Sequence, residues 1–164
     1  MLPLSTLSLR SFLAATAAFC VGLLLYAAYL QHGPQFQQPC PLCVLQRYVY
    51  IAIALIAAVG AWRNHYGYAV GVAVVAGDGA LLAGWQVAKG STMTACQADP
   101  IGQFVNGLPT ADWFPQYFFA NGGCADRYDA LGLPVPVWSL LCFAGIAIAA
   151  GWVAWQQHRL KAKP

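Results

Sequence analysis

Residues 40–62 read CPLCVLQRYVYIAIALIAAVGAW, and they indicate the class of protein most directly. Between residues 42 and 62 the side chains are mostly apolar, and Arg47 carries the one charge. A helix needs about 20 apolar residues to cross the hydrocarbon core of a bilayer. Residues 42–62 are therefore predicted to span a membrane as a helix, with a pair of cysteines at its start.

Three further stretches have a similar length and apolar character, and they lie at residues 9–30, 68–88 and 135–155. Lipid offers the backbone no hydrogen-bonding partners, so each stretch is expected to be a helix. Short connections make successive helices antiparallel neighbours. We predict an all-α membrane protein: one integral domain over residues 1–164, folded as an antiparallel bundle of four transmembrane helices. Its two loops on one side would be residues 31–41 and 89–134.

The composition excludes other classes of protein. The chain has 164 residues, of which 60% are hydrophobic and 8% charged, whereas a soluble domain carries about 25% charged residues. Disorder is excluded too, because it requires low hydrophobicity and high charge. The net charge is only +3 and forms no basic stripe, so a nucleic-acid partner is not expected. The lipid bilayer is the expected surroundings.

The positive charges predict the orientation of the bundle. One side of the predicted bundle carries Arg10, Arg63, Arg159, Lys161 and Lys163. The other side carries only Lys89 and Arg127, together with four of the five aspartates. Lysine and arginine near the spans concentrate on the cytoplasmic side. Both termini should therefore be cytoplasmic, and the loops 31–41 and 89–134 should face outward.

The six cysteines fall into two groups. Cys20 and Cys142 lie inside apolar spans, where a free cysteine usually acts as a small core hydrophobe. The other four lie on the predicted outer side or at its membrane edge: Cys40, Cys43, Cys96 and Cys124. Disulfides form and persist in oxidising compartments. The positions of these four thiols and the charge asymmetry thus indicate the same compartment.

Cys40-Pro41-Leu42-Cys43 stands where the second span begins. A helix N-terminus carries unpaired N–H groups and the positive end of the helix dipole, which stabilise a thiolate. Pro41 suits the first helical position because its missing N–H would be unpaired there. The spacing allows the two sulfurs to bond to each other and to exchange with a third thiol. An inert structural disulfide or half of a metal site are the alternatives.

Arg47 follows Cys43 by four residues and therefore lies on the same helical face. An ionisable residue inside a membrane is costly and is functional by default. Its guanidinium would stabilise a nearby thiolate and could hold the oxygen of a bound electron acceptor. The alternative is an arginine that only extends its side chain to the lipid headgroups.

Cys96 and Cys124 lie in the long outer loop, and two interpretations are open. Closing a loop of this length would stabilise the fold by roughly 3–4 kcal/mol on the chain-entropy model, as a structural staple does. The loop is rich in turn-forming residues, including Pro100 and Asn121-Gly122-Gly123, and an exposed disulfide in such a segment is of the kind that exchanges.

Two features outside the cysteine pairs have open roles. Asp78 lies in mid-span between Gly77 and Gly79. It could serve a proton relay, but a hydrogen-bonded position where small residues let helices approach closely is favoured.

Residues 113–119, WFPQYFF, are too short to span a membrane. They could lie in the interface, cover the bundle as a lid, or dock a partner.

Two thiol pairs on a membrane bundle suggest an electron path from a soluble partner to a lipid-soluble acceptor, for which a quinone fits. The chain resembles the disulfide bond formation protein B (DsbB) family over essentially its whole length. The resemblance rests on the four spans, the Cys40–Cys43 motif, Arg47 after it, and Cys96 with Gly123-Cys124-Ala125 in the second outer loop. The resemblance implies a multi-pass enzyme of the bacterial inner membrane. Such an enzyme reoxidises a DsbA-like periplasmic thiol oxidase and reduces ubiquinone or menaquinone.

The resemblance also implies a role for each redox residue. Cys96 would take the attack of the partner's thiolate, and Cys124 would resolve the mixed disulfide and pair transiently with Cys40. Cys43 would face the quinone as a thiolate, and Arg47 would steady a quinone oxygen. All four cysteines would be periplasmic.

The chain departs from the family pattern at the outer end of the third span. Some family members have a histidine there, whereas this chain reads Gly84-Trp85-Gln86-Val87. Gln86 could donate a hydrogen bond at this place, so we include it among the expected quinone-binding residues.

Three rival interpretations were weighed. In proteins resembling vitamin K epoxide reductase the loop pair precedes the CxxC helix, which is the reverse of the order here. A carrier of thiophilic metal ions would bind them through closely spaced thiolates, but Cys96 and Cys124 are far apart in sequence. The same spacing weighs against a zinc site, whose ligands usually lie close together in each half. No metal site is predicted. A structural protein stapled by two disulfides would leave Arg47 no role beyond reaching the headgroups.

Overall fold

The computed structural model describes residues 8–32, 39–89, 100–122, 129–130 and 132–161. Four long helices dominate it: α1 (Leu9–His32), α2 (Pro41–Arg63), α3 (Gly67–Lys89) and α7 (Val135–Lys161). Between α3 and α7 lie α4 (Pro100–Asn106), α5 (Pro109–Trp113), α6 (Pro115–Phe118), β1 (Asp129–Ala130) and β2 (Leu133–Pro134).

The four long helices confirm the predicted all-α, four-helix membrane bundle. Each is long and apolar enough to cross a bilayer, with mean hydropathies between 1.5 and 2.0 over their most apolar windows. The helices extend beyond the predicted spans at several ends. The largest extension is in α7, which continues past residue 155 through Gln156, Gln157 and Arg159, since these residue types favour helix even outside an apolar stretch.

The core runs along the centre of the bundle. Helix α3 packs along α7 and α2, and α2 packs along α1, whereas α1 and α7 touch little. Fully buried large side chains include Leu13, Ile53, Val72 and Phe143. The weak contact between α1 and α7 leaves room between these two helices.

Residues 64–66 connect α2 to α3 in a tight turn. Asn64 ends α2 in the left-handed conformation, with φ of 50°, and its N–H donates to the carbonyl of Gly60 at 2.8 Å. Asparagine accepts this conformation more readily than most residues. The turn makes α2 and α3 adjacent, as their short connection predicts.

The described part of the predicted outer loop 89–134 is folded rather than extended. β1 and β2 pair antiparallel, and the indole Nε1 of Trp138 donates to the carbonyl of Ala130 at 2.8 Å, which ties β1 to α7. Residues 113–119 are not one helix, because Trp113 ends α5 and Pro115 begins α6. Phe118 packs against Tyr48 of α2 with ring centroids 5.1 Å apart. Phe118 thus lies against the N-terminal part of α2, whereas Trp113 and Phe114 are exposed.

Asp78 and its neighbour Gly79 lie on different faces of α3. The side chain of Asp78 is exposed on the face that points away from the bundle, and Gly79 is buried. The close helix contact expected at this place is made by Gly79 alone. A Cβ atom there would lie 2.7 Å from the Phe143 ring of α7 and 2.9 Å from Val49 of α2.

We therefore expect Gly79→Ala to destabilise the bundle. Overpacking costs about 1–3 kcal/mol, while replacing glycine by alanine in a helix returns up to about 1 kcal/mol. The net loss should appear as a lower midpoint of thermal unfolding in detergent. Gly77→Ala is the matched control, since a Cβ atom there meets nothing within 4 Å. Equal midpoints for the two variants would contradict the close contact at Gly79.

Candidate functional site

A cavity of about 260 Å³ lies between α1, α2 and α7, at the end of the bundle where α2 begins. Its walls are mostly apolar and include Leu23, Leu24, Leu30, Val135 and Trp138. A small set of polar and sulfur-bearing groups also lines it: Gln31, Cys40, Cys43, Gln46, Arg47, Gln86. An apolar cavity with a few converging polar groups is typical of a small-molecule site.

The first turn of α2 carries the two cysteines into the wall of the cavity. Cys40 precedes the helix in an extended conformation, and Pro41 takes its first position, as predicted. The Cys40 sulfur accepts a hydrogen bond from the backbone N–H of Cys43 at 3.2 Å, so the sulfur itself caps the helix. Cys40 and Cys43 are joined by a disulfide, with Cys40 only 4% exposed and Cys43 half-buried.

Arg47 lies one turn further along α2 and is held by two other parts of the chain. Its Nη1 donates to Oε1 of Gln31 at 3.0 Å and to the backbone carbonyl of Tyr117. The side chain is half-buried and lines the cavity. Its guanidinium is thus held at the cavity by hydrogen bonds to α1 and α6. An arginine that only reached the lipid headgroups would need neither partner.

Gln31 was missed in the sequence, because residues 31–41 were predicted to be loop. That prediction was wrong at its first two residues, since α1 continues to His32. The His32 ring contacts the carbonyl of Ala28 at 2.9 Å and packs on Tyr117, which stabilises the extra turn. Gln31 is 9% exposed and donates through Nε2 to the carbonyl of Gln116.

A buried pair of amides, which also line the cavity, contacts the disulfide. Nε2 of Gln86 is 3.2 Å from the sulfur of Cys40 and 3.5 Å from that of Cys43. Gln46, which the sequence reasoning missed, donates through Nε2 to Oε1 of Gln86 at 2.7 Å. The available signal was spacing: Gln46 follows Cys43 by three residues and so shares its helical face. Gln86 does donate a hydrogen bond here, and its acceptors are sulfur atoms.

The segment between α3 and α7 is hydrogen-bonded, at Gly122, to the residue before Cys40. The N–H of Gly122 donates to the carbonyl of Pro39 at 3.1 Å. Just before it, Ala120 exchanges two hydrogen bonds with the side chain of Asn106, at 2.7 and 3.0 Å. The chain leading to residue 123 therefore approaches the residue next to the disulfide.

Taken together, these groups can carry out a defined chemistry. When a thiolate attacks a disulfide, it bonds to one sulfur and the other sulfur leaves with the electron pair of the broken bond. The sulfurs here open onto an apolar cavity. The Arg47 guanidinium presents N–H donors to the same space and suits an uncharged molecule with an acceptor oxygen.

Comparison with known proteins identifies the family. The family model described as Disulfide bond formation protein DsbB matches residues 9–153. The chain is 38% identical over 144 residues to Disulfide bond formation protein B of Ralstonia nicotianae, covering 85% of this chain and 89% of that protein. It is 40% identical over 144 residues to the protein of the same name from Herminiimonas arsenicoxydans, covering 85% and 90%.

This chain belongs to the DsbB family. A third relative, Disulfide bond formation protein B of Burkholderia ambifaria, is 33% identical over 164 residues, which covers 94% of this chain and 96% of that protein. The resemblance seen in the sequence is thereby confirmed. The chain is a multi-pass membrane protein of a family of disulfide bond formation proteins, and the Cys40–Cys43 disulfide lies within the matched residues.

The remaining cysteines of this DsbB family member lie in two kinds of place. Cys96 and Cys124 fall outside the described residues, so their pairing and roles stay predictions. Cys20 is fully buried in the core and free, and Cys142 is free and partly buried. Cys142 also lines the cavity, a position that its place in an apolar span did not reveal.

We expect Asn106→Ala to loosen the segment that ends beside Pro39. The change removes both hydrogen bonds to Ala120, each worth about 1 kcal/mol. Hydrogen exchange at the Ala120 amide should accelerate by about tenfold or more, measured by mass spectrometry in detergent. Gln103→Ala, at an exposed side chain of the same helix, is the control and should leave the exchange rate unchanged. An unaltered rate in Asn106→Ala would show that the segment is held elsewhere.

Proposed function

We propose that this DsbB family member is a quinone-dependent protein disulfide oxidoreductase of the bacterial inner membrane. It would take electrons from a DsbA-like periplasmic thiol oxidase and pass them to ubiquinone or menaquinone, which sustains disulfide bond formation. One observation carries the proposal: the Cys40–Cys43 disulfide lies in the wall of an apolar cavity between membrane-spanning helices, with Arg47 beside it. A soluble dithiol and a lipid-soluble acceptor would meet at such a place.

The residues of the cavity fit a quinone. A quinone is an uncharged ring with two acceptor oxygens, and when bound it supplies a two-electron acceptor. The walls are apolar, and none of the described residues that line the cavity is acidic. Arg47 would hold one oxygen through its guanidinium N–H groups. Cys43, half-buried in the same wall, would face the ring, while Gln86 contacts the sulfurs.

The energetics favour a strong acceptor. A DsbA-like oxidase is itself more oxidising than a glutathione pool, so glutathione cannot reoxidise it completely. The bacterial periplasm is kept oxidising through quinone rather than by a thiol buffer. A lipid-soluble quinone is therefore the class of acceptor that we assign to the cavity.

Chain length supports the proposed path from the pair Cys96 and Cys124 to the pair Cys40 and Cys43. Cys124 comes two residues after Gly122, whose N–H is bonded to the carbonyl of Pro39. Two residues span at most about 7 Å, so this chain length permits Cys124 to reach Cys40 and supports the path that we propose. We propose that the Cys124 thiolate attacks the Cys40 sulfur: a Cys124–Cys40 bond forms, the Cys40–Cys43 bond breaks, and the electron pair stays on Cys43. Before that, the partner's thiolate would attack Cys96: a mixed disulfide forms, the Cys96–Cys124 bond breaks, and Cys124 is released as the thiolate.

The orientation and the single-domain organisation belong to the same proposal. The bias of lysine and arginine supports cytoplasmic termini. Residues 31–41 and 89–134 would then be periplasmic, and both cysteine pairs would lie in the oxidising compartment where their chemistry is possible.

The two alternatives are less well supported. In the disulfide-bonded state Cys40 and Cys43 offer no thiolate to a metal ion, which a carrier of thiophilic metals would need. A structural staple gains most when it closes a long loop, whereas these cysteines are separated by only three positions. The chain-entropy model assigns about 2 kcal/mol to such a short loop.

Replacing any one of the four redox cysteines by serine should abolish activity, because each sulfur forms a bond that the next step needs. The test follows quinone absorbance after adding a reduced DsbA-like oxidase and a short-chain quinone to the purified protein in detergent. The variants are Cys40→Ser, Cys43→Ser, Cys96→Ser and Cys124→Ser. Cys20→Ala, in the buried core, is the control and should remain active. Sustained turnover in any of the four variants would refute the path, and mercury binding without quinone reduction would favour the carrier.

Arg47→Ala should raise the KM for quinone by about ten- to hundredfold, because a hydrogen bond from a charged group is worth about 1.5–3 kcal/mol. Gln31→Leu removes one partner that holds the guanidinium but leaves the guanidinium itself, so its effect should be smaller. The KM for the thiol oxidase should change little in either variant. A quinone KM unaffected by Arg47→Ala would reduce Arg47 to an anchor for Tyr117.

A further inference from the structure

The two buried amides beside the disulfide form a chain that ends on its sulfurs. Gln46 donates to Gln86 at 2.7 Å, and Gln86 donates to Cys40 at 3.2 Å and to Cys43 at 3.5 Å. Gln46, Gln86 and Cys40 are each 4% exposed. Burying polar amides among membrane helices is costly unless they are hydrogen-bonded, so their placement at the sulfurs calls for a physical reason.

The chemistry of the disulfide determines how both amides are turned. A sulfur in a disulfide has no hydrogen, so only the NH₂ side of Gln86 can make a hydrogen bond to it. Oε1 of Gln86 must then point away and needs a donor, which Gln46 supplies. Gln86 is thus held from both ends with its N–H groups directed at the two sulfurs.

We propose that Gln46 and Gln86 are positioning residues that stabilise the reduced state of Cys40–Cys43 and so make this disulfide a stronger oxidant. Gln86 donates to the sulfur that gains negative charge, and Gln46 keeps Gln86 in the donating orientation. The inference deepens the proposed function, since that function assigns electron transfer to this disulfide.

The gain arises because the hydrogen bond strengthens as the disulfide opens. An attacking thiolate forms a new bond to one sulfur, the Cys40–Cys43 bond breaks, and the electron pair stays on the released sulfur without any proton transfer. A neutral disulfide sulfur is a weak acceptor, whereas a hydrogen bond to an ionised acceptor is roughly twice as strong as a neutral one. In the proposed path the released sulfur is that of Cys43, which is half-buried in the apolar wall and 3.5 Å from Nε2 of Gln86, so a donor already in place supplements its limited solvation.

The test measures the redox equilibrium of this one disulfide in the full-length protein. In a background of Cys96→Ser and Cys124→Ser, the protein in detergent is equilibrated with mixtures of reduced and oxidised dithiothreitol. The thiols are then alkylated, and peptide mass spectrometry quantifies the peptide that contains Cys40 and Cys43. Gln86→Met keeps the size and removes the donor. It should lower the equilibrium constant for reduction about tenfold, equivalent to about 30 mV for a two-electron couple.

Gln46→Met should shift the same equilibrium in the same direction by a smaller factor, and the double variant should match Gln86→Met alone. Thr16→Val is the matched control. This variant removes a buried hydroxyl that donates to the carbonyl of Phe12 within its own helix at 2.9 Å. It should leave the equilibrium unchanged. Gln86→Asn, which shortens the reach by one methylene, provides a second variant if Gln86→Met does not fold.

The proposal would be overturned if a folded Gln86 variant had the same equilibrium constant as the parent protein that carries only Cys96→Ser and Cys124→Ser. Independent, multiplying effects of Gln46→Met and Gln86→Met would overturn the role of Gln46. The measurement uses no quinone, so failure of the protein to reduce quinone would remove the proposed function and leave this inference standing. Unchanged equilibria with intact quinone reduction would remove only the inference.

Discussion

The start of α2 is the constraint on which the rest of the site depends. The Cys40 sulfur caps the helix by accepting the N–H of Cys43, and Pro41 fixes the first helical position. Once that start is set, helical geometry places Cys43, Gln46 and Arg47 on one face, because residues three and four apart are neighbours. The same turn of helix therefore positions the disulfide, one of the amides and the guanidinium at the wall of one cavity.

Polar groups within an apolar bundle must find partners, and the partners come from every side. Arg47 is held by Gln31 of α1 and by the backbone of Tyr117 in α6, and Gln46 is held by Gln86 of α3. No buried side-chain nitrogen or oxygen in the described part of the chain lacks a hydrogen bond. Satisfying these groups links α1, α2, α3 and α6 around the disulfide, so the network also shapes the cavity.

The segment between α3 and α7 contributes by covering α2 and by approaching the disulfide. Tyr48 of α2 bonds to the hydroxyl of Thr110 and packs on Phe118, and Gly122 bonds to Pro39. These contacts hold the segment against α2. It joins the two regions whose cysteines the proposed electron path connects.

Much of the fold was predictable from the sequence, because lipid allows few solutions. Apolar length alone indicates the four helices, since a backbone in hydrocarbon must satisfy its own hydrogen bonds, and the Cys40-Pro41 pair marks where α2 begins. The same reasoning placed Cys40, Cys43 and Arg47 together, because their spacing on one helix is local. The family resemblance rested on such local motifs.

Features that depend on contacts between distant parts of the chain could not be predicted from the sequence. Gln31 became part of the site only when α1 packed beside α2, and Gln46 met Gln86 only when α3 packed there, because no spacing in the sequence shows which helix faces which. The packing of α3 against Phe143 likewise determines that Gly79 is buried while its neighbour Asp78 is exposed. The sequence by itself determined which segments are helices and which residues share a helical face, since these follow from covalent geometry and from the solvent. Only the tertiary structure decided which faces meet, because that depends on how side chains from separate helices fit together.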